Sequence, residues 1–285
     1  MSAFTAKDFN AAVYSDFRPS YPDDWYKTLA AYHKGNHHLV LDIGCGPGTA
    51  TFALRKHMPF EKVVGADISQ TMVEKARKVA SDSNEQEVEF VAYNGDIKEI
   101  GLKPDMVTMA ECAHWLDWEN AMEQVAAVLP SDGTLAIWCY LDPVLVDFPE
   151  LDSDIENLQY SEPPAGLGPY WEQPGRQNLR ELLPKLPPPE KWFKDIQLWR
   201  HDGRCTATRA ATPLVMEKTM TLEAFHNYTT TWSSYHNWSS STNAGESHPD
   251  PTIPFMEKVK RVTKLESRDP IRVAWKTVAL LARRK

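Results

Sequence analysis

Between about residue 38 and residue 140 the chain alternates short apolar runs with amphipathic stretches, and that alternation leaves few folds open. Strand-length runs separated by helix-length periodic stretches read as βαβ units, whose parallel strands must be covered by helices. His38–Ile43, Lys62–Ala66, Val88–Ala92, Asp105–Met109 and Gly133–Trp138 read as strands. Thr49–His57, Ser69–Ala80 and Trp118–Leu129 read as the helices between them, with Ser69 and Thr71 as candidate caps and Pro130-Ser-Asp-Gly133 as a stop. The expected fold class is α/β, a doubly wound, Rossmann-like open sheet. Such a sheet binds its ligand beyond the carboxyl ends of the strands, where the strand order reverses.

Beyond Tyr140 the composition turns Pro-rich and Trp-rich, with Leu141-Asp-Pro, Glu162-Pro-Pro and Leu186-Pro-Pro-Pro as loop markers. Asp195–Trp199, Leu214–Met220 and Ile271–Leu281 are strand candidates, and Leu222–Trp232 has helical apolar spacing. Such strands could extend the sheet, and the expected sheet is mostly parallel and seven-stranded. The expected organisation is an N-terminal lid over residues 1–30, a ligand-binding core over 31–140, and substrate-lid insertions with the final strands over 141–285.

A net charge of −8 is the wrong sign for a phosphate-backbone partner, so no nucleic acid is expected. The first residues lack a cationic region followed by an apolar one, and no run approaches a membrane span; the expectation is a cytoplasmic protein with no membrane partner. Cys45, Cys112, Cys139 and Cys205 have no metal-ligand or disulfide-framework spacing, so no metal is expected. Monomer and homodimer remain equally open.

The first strand runs into Leu41-Asp-Ile-Gly-Cys-Gly-Pro-Gly-Thr49, where Gly44, Gly46 and Gly48 permit a tight turn and a close ligand approach just before a helix N-terminus. The spacing is GxGxG, not the longer cradle that a pyrophosphate needs. Asp67 ends the second strand and can accept from both hydroxyls of a ribose. Asp96, after the third strand, is placed to accept an adenine amino group. Acids at consecutive strand ends beside such a loop point to a nucleoside carrying an amino-acid tail.

These motifs, with Pro130-Ser-Asp-Gly-Thr-Leu135, resemble the motif series of class I S-adenosylmethionine-dependent methyltransferases. Tyr14–Pro22, Glu111-Cys-Ala-His-Trp115, Gly166–Arg176 and Thr231–Trp238 are similar to segments of the fungal trans-aconitate methyltransferases, whereas residues 201–213 and 239–268 match them poorly. The resemblance implies S-adenosylmethionine as cofactor, S-adenosylhomocysteine as product and a small-molecule acceptor. It implies a cofactor pocket from Asp42, Gly44, Cys45, Gly46, Asp67, Ile68, Asp96, Ile97 and Glu111. Tyr14 and Arg18 would approach the methionine end; alternatively Arg18-Pro19 only shapes an extended arm.

Methyl transfer is an in-line displacement, so the protein mainly aligns the reacting atoms. A carboxylate acceptor is already ionised at neutral pH and needs no base. A hydroxyl acceptor would want one, and His114, after the fourth strand, is the catalytic candidate; otherwise His114-Trp115 packs beneath the cofactor and positions the acceptor. Arg176 has the fork geometry for a substrate carboxylate, or is an ordinary surface arginine. Tyr170, Trp171, Trp232, Tyr235 and His236 are expected pocket walls. The leading reading is O-methylation of a small organic acid of the trans-aconitate type. The alternatives are O-methylation of a fungal natural product, with His114 as base, and a cofactor-binding protein that does not methylate or a pericyclic or cyclising catalyst on the same fold.

Overall fold

The computed structural model describes residues 18–83, 85–181, 188, 190–204, 211–241 and 249–285. The expected strands are present as β1 (Leu39–Ile43), β2 (Lys62–Asp67), β3 (Val88–Ala92), β4 (Met106–Ala110) and β5 (Thr134–Leu145), followed by β6 (Phe193–His201), β7 (Met216–Thr221) and β8 (Pro270–Arg284). Their order is β3-β2-β1-β4-β5-β8-β6, with β7 also paired to β8. The pairings among β1 to β5 are parallel, and those of β8 are antiparallel. β6 pairs with residues 277–284 of β8 and β7 with residues 270–275. The two therefore share one edge end to end, and eight strands fill seven positions. The strand order reverses between β1 and β4, which places the ligand crevice above their carboxyl ends.

Sequence alternation explains the layering. Val40, Met106, Ala136, Trp138 and Tyr140 belong to one core, while Leu41, Val107, Leu135, Ile137 and Cys139 belong to the other. Successive strand residues point to opposite faces, so a sheet covered on both sides reads as a continuous apolar run. Helices α1 (Asp23–Tyr32), α2 (Thr49–His57), α3 (Gln70–Asp82) and α4 (Trp118–Val128) supply the cover. Ser69 caps α3 by accepting from Met72 N–H, and Asp117 caps α4 at Asn120 N–H. Trp138 is wholly buried, with Trp25 at 5.4 Å between ring centroids and Tyr21 edge-on at 5.7 Å. Cutting such a side chain back to Ala costs about 3–5 kcal/mol.

One sequence expectation needs correction. Leu141-Asp-Pro143 is not a loop: β5 continues to Leu145, with a register shift against β8 between Tyr140 and Pro143. A bulge is where a strand tolerates a proline that cannot donate to the ladder. The extended β5 and β8 rise above the carboxyl edge of the parallel strands. Against them lie α5 (Asp152–Tyr160), α6 (Gly175–Arg180), α7 (Leu222–Thr230), α8 (Ser233–Ser239) and α9 (Thr252–Thr263). No helix among the described residues is long and apolar enough to cross a membrane.

Candidate active site

The glycine turn after β1 is tied to the end of β2. Gly44 N–H donates to Ala66 O at 2.7 Å, and Gly46 N–H donates to Asp67 Oδ2 at 2.8 Å. Gly44 has a φ of +66°, and a Cβ there would stand 2.4 Å from Cβ of Cys112. Gly46 has a φ of +54°, yet nothing lies within 4 Å of where its Cβ would be. The first glycine is required by packing and the second faces the open crevice. Asp67 also accepts from Ser69 N–H at 2.8 Å. Its carboxyl sits above its ordinary range because of burial, countered by the N–H groups of Ser69, Gly46 and Ile68. Each oxygen keeps lone-pair capacity for a ribose hydroxyl.

Next to it, Ile68 is 63% exposed, an apolar side chain at a strand end that a purine face can cover. Asp96 accepts from Lys98 N–H through Oδ1 and is half-buried. Two expected cofactor residues are placed otherwise. Asp42 is wholly buried beneath the turn, accepting from Thr51 at Oδ2 and Thr108 at Oδ1, both at 2.7 Å; burial pushes its carboxyl up to about 6. Ile97 is buried, with its N–H on Gln124 Oε1 at 2.6 Å. Both shape the site from behind. Cys45 is likewise buried, and Tyr14 lies outside the described residues.

Beside this crevice lies a cleft lined by Arg18, Glu111, His114, Trp115, Tyr140, Trp171, Arg176, Tyr228 and Trp232 among others. Arg18 does not extend towards the glycine turn. It donates to Tyr140 OH at 3.1 Å and Thr231 O at 3.0 Å, with its guanidinium carbon 5.6 Å from the Tyr228 ring centroid. It lines the cleft beside that turn.

Arg176 is not a surface residue. Nη2 meets Asp142 Oδ1 at 2.7 Å, Gln159 Oε1 at 2.8 Å and Tyr160 OH at 2.7 Å, and the guanidinium carbon lies 3.8 Å from the Trp171 ring centroid. Lys276 reaches the other oxygen of Asp142 at 3.5 Å. The pair is buried, with Arg176 10% and Asp142 4% exposed. Because one terminal nitrogen takes every side-chain contact, Nη1 and Nε donate to nothing among the described residues.

His114 is buried, and its Nδ1 has no partner among the described residues. Burial, with the Arg176 charge added, pushes it down to about 3, so the ring is neutral in the physiological range. Glu111 sits at the end of β4 with a φ of +60° and accepts from Tyr140 N–H. Glu111, His114 and Cys139 each place one donor atom within 4.8 Å of the others. They are the described residues best placed for a metal. Burial, however, holds the Cys139 thiol well above its ordinary value, against the thiolate that a metal takes.

Of the expected pocket walls, Trp171 and Trp232 line the cleft, as does Trp115. Tyr170, Tyr235 and His236 do not: Tyr170 gives its carbonyl to Asn237, and Tyr235 donates to Asp250 at 2.8 Å. Sequence reasoning missed Tyr140, Asp142, Gln159 and Tyr228. Only Tyr140 carried a usable signal, since it follows closely on the expected strand Gly133–Trp138.

The fold and the loop geometry meet the comparisons here. The methyltransferase-domain family profile matches residues 40–133, and the sheet has the Rossmann-like methyltransferase fold. Over its whole length it is 29% identical, across 300 residues, to the protein named probable S-adenosylmethionine-dependent methyltransferase CRG1 of Saccharomyces cerevisiae, covering 100% of this chain and 99% of that protein. A shorter match, 28% over 131 residues, covers 46% of this chain and 49% of the trans-aconitate 2-methyltransferase of Variovorax paradoxus. A solved structure from Anaeromyxobacter dehalogenans, named for a type II methyltransferase, superposes with a TM-score of 0.69 at 22% identity, covering 94% of this chain and 97% of that one.

Proposed function

We propose that the protein transfers a methyl group from S-adenosylmethionine to a carboxylate of a small organic acid of the trans-aconitate type, giving a methyl ester and S-adenosylhomocysteine. The observation that carries this reading is the pair of guanidiniums, Arg18 and Arg176, in one aromatic-walled cleft beside the cofactor crevice. The half-length similarity to a bacterial trans-aconitate 2-methyltransferase supports it.

The crevice fits the cofactor: open space at Gly46 receives its amino-acid tail, Asp67 takes the ribose hydroxyls, Asp96 the adenine amino group, and Ile68 covers the purine face. When bound, the cofactor supplies a methyl carbon on a sulfonium sulfur; the acceptor oxygen takes the methyl, and the electron pair of the broken C–S bond stays on sulfur. No proton has to move. Arg176 holds a second carboxylate of the acceptor through Nη1 and Nε, while Asp142, Gln159 and Tyr160 fix the orientation of its plane. Arg18 adds a cation on the other wall. Trp115, Trp171 and Trp232 keep water out of a site where opposite charges cancel during the reaction.

His114 orients the acceptor and takes no proton. A group held near 3 is a poor general base at neutral pH, where the best base titrates close to the working pH. This favours the carboxylate over a natural-product hydroxyl.

The test is S-adenosylhomocysteine release across tricarboxylates, dicarboxylates, monocarboxylates and phenols at equal concentration. Polyacids should lead. Faster turnover of uncharged phenols or alcohols would overturn the proposal in favour of hydroxyl methylation, and cofactor binding with no release from any acceptor would favour a non-methylating role.

A further inference from the structure

Tyr228 lines the cleft, yet the methyl transfer just described gives it no part. It stands on α7 at 2% exposure, with aromatic rings around it: Phe225 stacked at 6.3 Å between centroids, Trp232 edge-on at 5.9 Å and Trp275 edge-on at 5.6 Å. Such a seat fixes the ring and with it the direction of the C–O bond. Trp275, wholly buried on β8, donates from Nε1 to the Tyr228 oxygen at 2.8 Å. An indole N–H donates and never accepts, so Tyr228 is the acceptor in this pair and its own proton is left to bond elsewhere.

Three other phenols of the chain find an acceptor. Tyr32 donates to Asp195 O at 2.7 Å, Tyr160 to Asp142 Oδ1 at 2.7 Å and Tyr235 to Asp250 Oδ2 at 2.8 Å. Tyr228 donates to nothing among the described residues. The indole of Trp232, a cleft wall, acts on its oxygen, as do the charges of Arg18 and Arg176, which puts that oxygen on the cleft side of the ring. Indoles and guanidiniums hold no acceptor for an O–H. A buried hydroxyl surrounded by donors is suited to an oxygen that arrives with a ligand, since buried polar groups in folded proteins are paired.

We propose that Tyr228 binds the methyl acceptor, donating its hydroxyl hydrogen bond to a carboxylate oxygen of the acid, with Trp275 as the positioning residue that turns the proton into the cleft. This rests on the acid-acceptor reading and adds a recognition contact to it. The contact leaves the hydrogen bonds of Arg18 and the Arg176–Asp142 pair as they stand. An ionised carboxylate oxygen only accepts, which makes it the complement of a hydroxyl whose oxygen is already engaged. Burial pushes the phenol above its ordinary value, against the Arg18 charge and the two indoles, so the proton to be donated stays in place.

The experiment measures acid binding by calorimetry to the whole protein saturated with S-adenosylhomocysteine, where no turnover intervenes. The probes are trans-aconitate and three dicarboxylates that each lack one of its carboxylates: itaconate, mesaconate and cis-glutaconate. Tyr228→Phe keeps the ring and removes the hydroxyl. It should weaken trans-aconitate binding by about tenfold or more, the usual value of a hydrogen bond to a charged group, and leave S-adenosylhomocysteine affinity within about twofold of the wild type. For the one dicarboxylate that lacks the partner carboxylate, wild type and variant should bind alike; for the other two the difference should persist. Tyr228→Phe/Trp275→Phe, which leaves no indole N–H without its acceptor, should show the same pattern and keeps the test readable where Tyr228→Phe alone folds poorly.

Unchanged affinity for trans-aconitate, or equal weakening for all four acids, overturns the proposal; the second result makes Tyr228 a packing residue. A tenfold loss of S-adenosylhomocysteine affinity also overturns it and assigns the hydroxyl to the cofactor. In each of these cases a wild type that binds and methylates acids leaves the acid-acceptor reading standing. A wild type that binds none of the four acids overturns that reading and this inference together.

Discussion

Replacing Arg176 with Ala separates what its charge does for the fold from what it does for the acceptor. The side chain is 10% exposed and its partner Asp142 is 4% exposed, so Arg176→Ala strands a carboxylate away from water. Breaking one side of a buried pair costs about 3–5 kcal/mol. Asp142 would keep the Tyr160 hydroxyl at 2.7 Å and Lys276 at 3.5 Å, which places the loss at the low end, about 3 kcal/mol. At about 2 °C per kcal/mol for a chain of this size, Tm should fall by roughly 6 °C. The double variant Arg176→Ala/Asp142→Ala removes both charges and should regain part of that loss, with a coupling energy above about 1 kcal/mol in urea unfolding. In kinetics, KM for a polyacid should rise about 10–100-fold with cofactor affinity unchanged, and Arg176→Lys should recover only part, since a point charge cannot reproduce a fork. Wild-type stability in Arg176→Ala, with strictly additive effects in the double variant, would refute the buried pair. Wild-type KM would refute the acceptor contact.

Three further outcomes follow from the site. Asp42 titrates near 6 when folded and near its ordinary 3.8 when unfolded, so its contribution to stability is full below about pH 4 and is lost as pH rises through 6. Comparing urea midpoints of the wild type and Asp42→Asn at pH 4 and pH 7 should reveal a difference of about 3 kcal/mol, two pKa units at about 1.4 each. His114→Gln should lose at most about tenfold in kcat, whereas a general base contributes about 10²–10⁴-fold; a thousandfold loss with normal cofactor binding would move the reaction to a hydroxyl acceptor. Asp67→Ala should weaken cofactor binding by about 2–3 kcal/mol in calorimetry, and Gly46→Val more, since its side chain would enter the space left open at that turn.

The parallel half of the fold was legible because its signals are local. Apolar runs, caps and a glycine turn each declare themselves within a few residues, and β1 to β4 together with α2 to α4 stand within a residue or two of where the sequence places them. The acceptor cleft was harder. Arg176 and Trp171 could be named, but Asp142 and Gln159, which hold Arg176, come from a strand whose proline reads as a loop and from a helix with no distinctive signature. The partners of Arg18, Tyr140 and Thr231, lie 122 and 213 residues away, and no local pattern reports a pairing at that distance. Tyr170, Tyr235 and His236 share a Trp-rich neighbourhood with real cleft residues, and aromatic density alone does not separate a pocket wall from packing behind it.

The central claim, that a carboxylate receives the methyl group, is tested most directly by the bond in the product. The enzyme is incubated with isotopically labelled S-adenosylmethionine and its best acceptor, and the purified product is treated with mild alkali. An ester returns the label as methanol together with the unmethylated acid, and that is the expected result; a label that stays on the product through alkali, as a methyl ether or an N- or C-methyl group would, contradicts it.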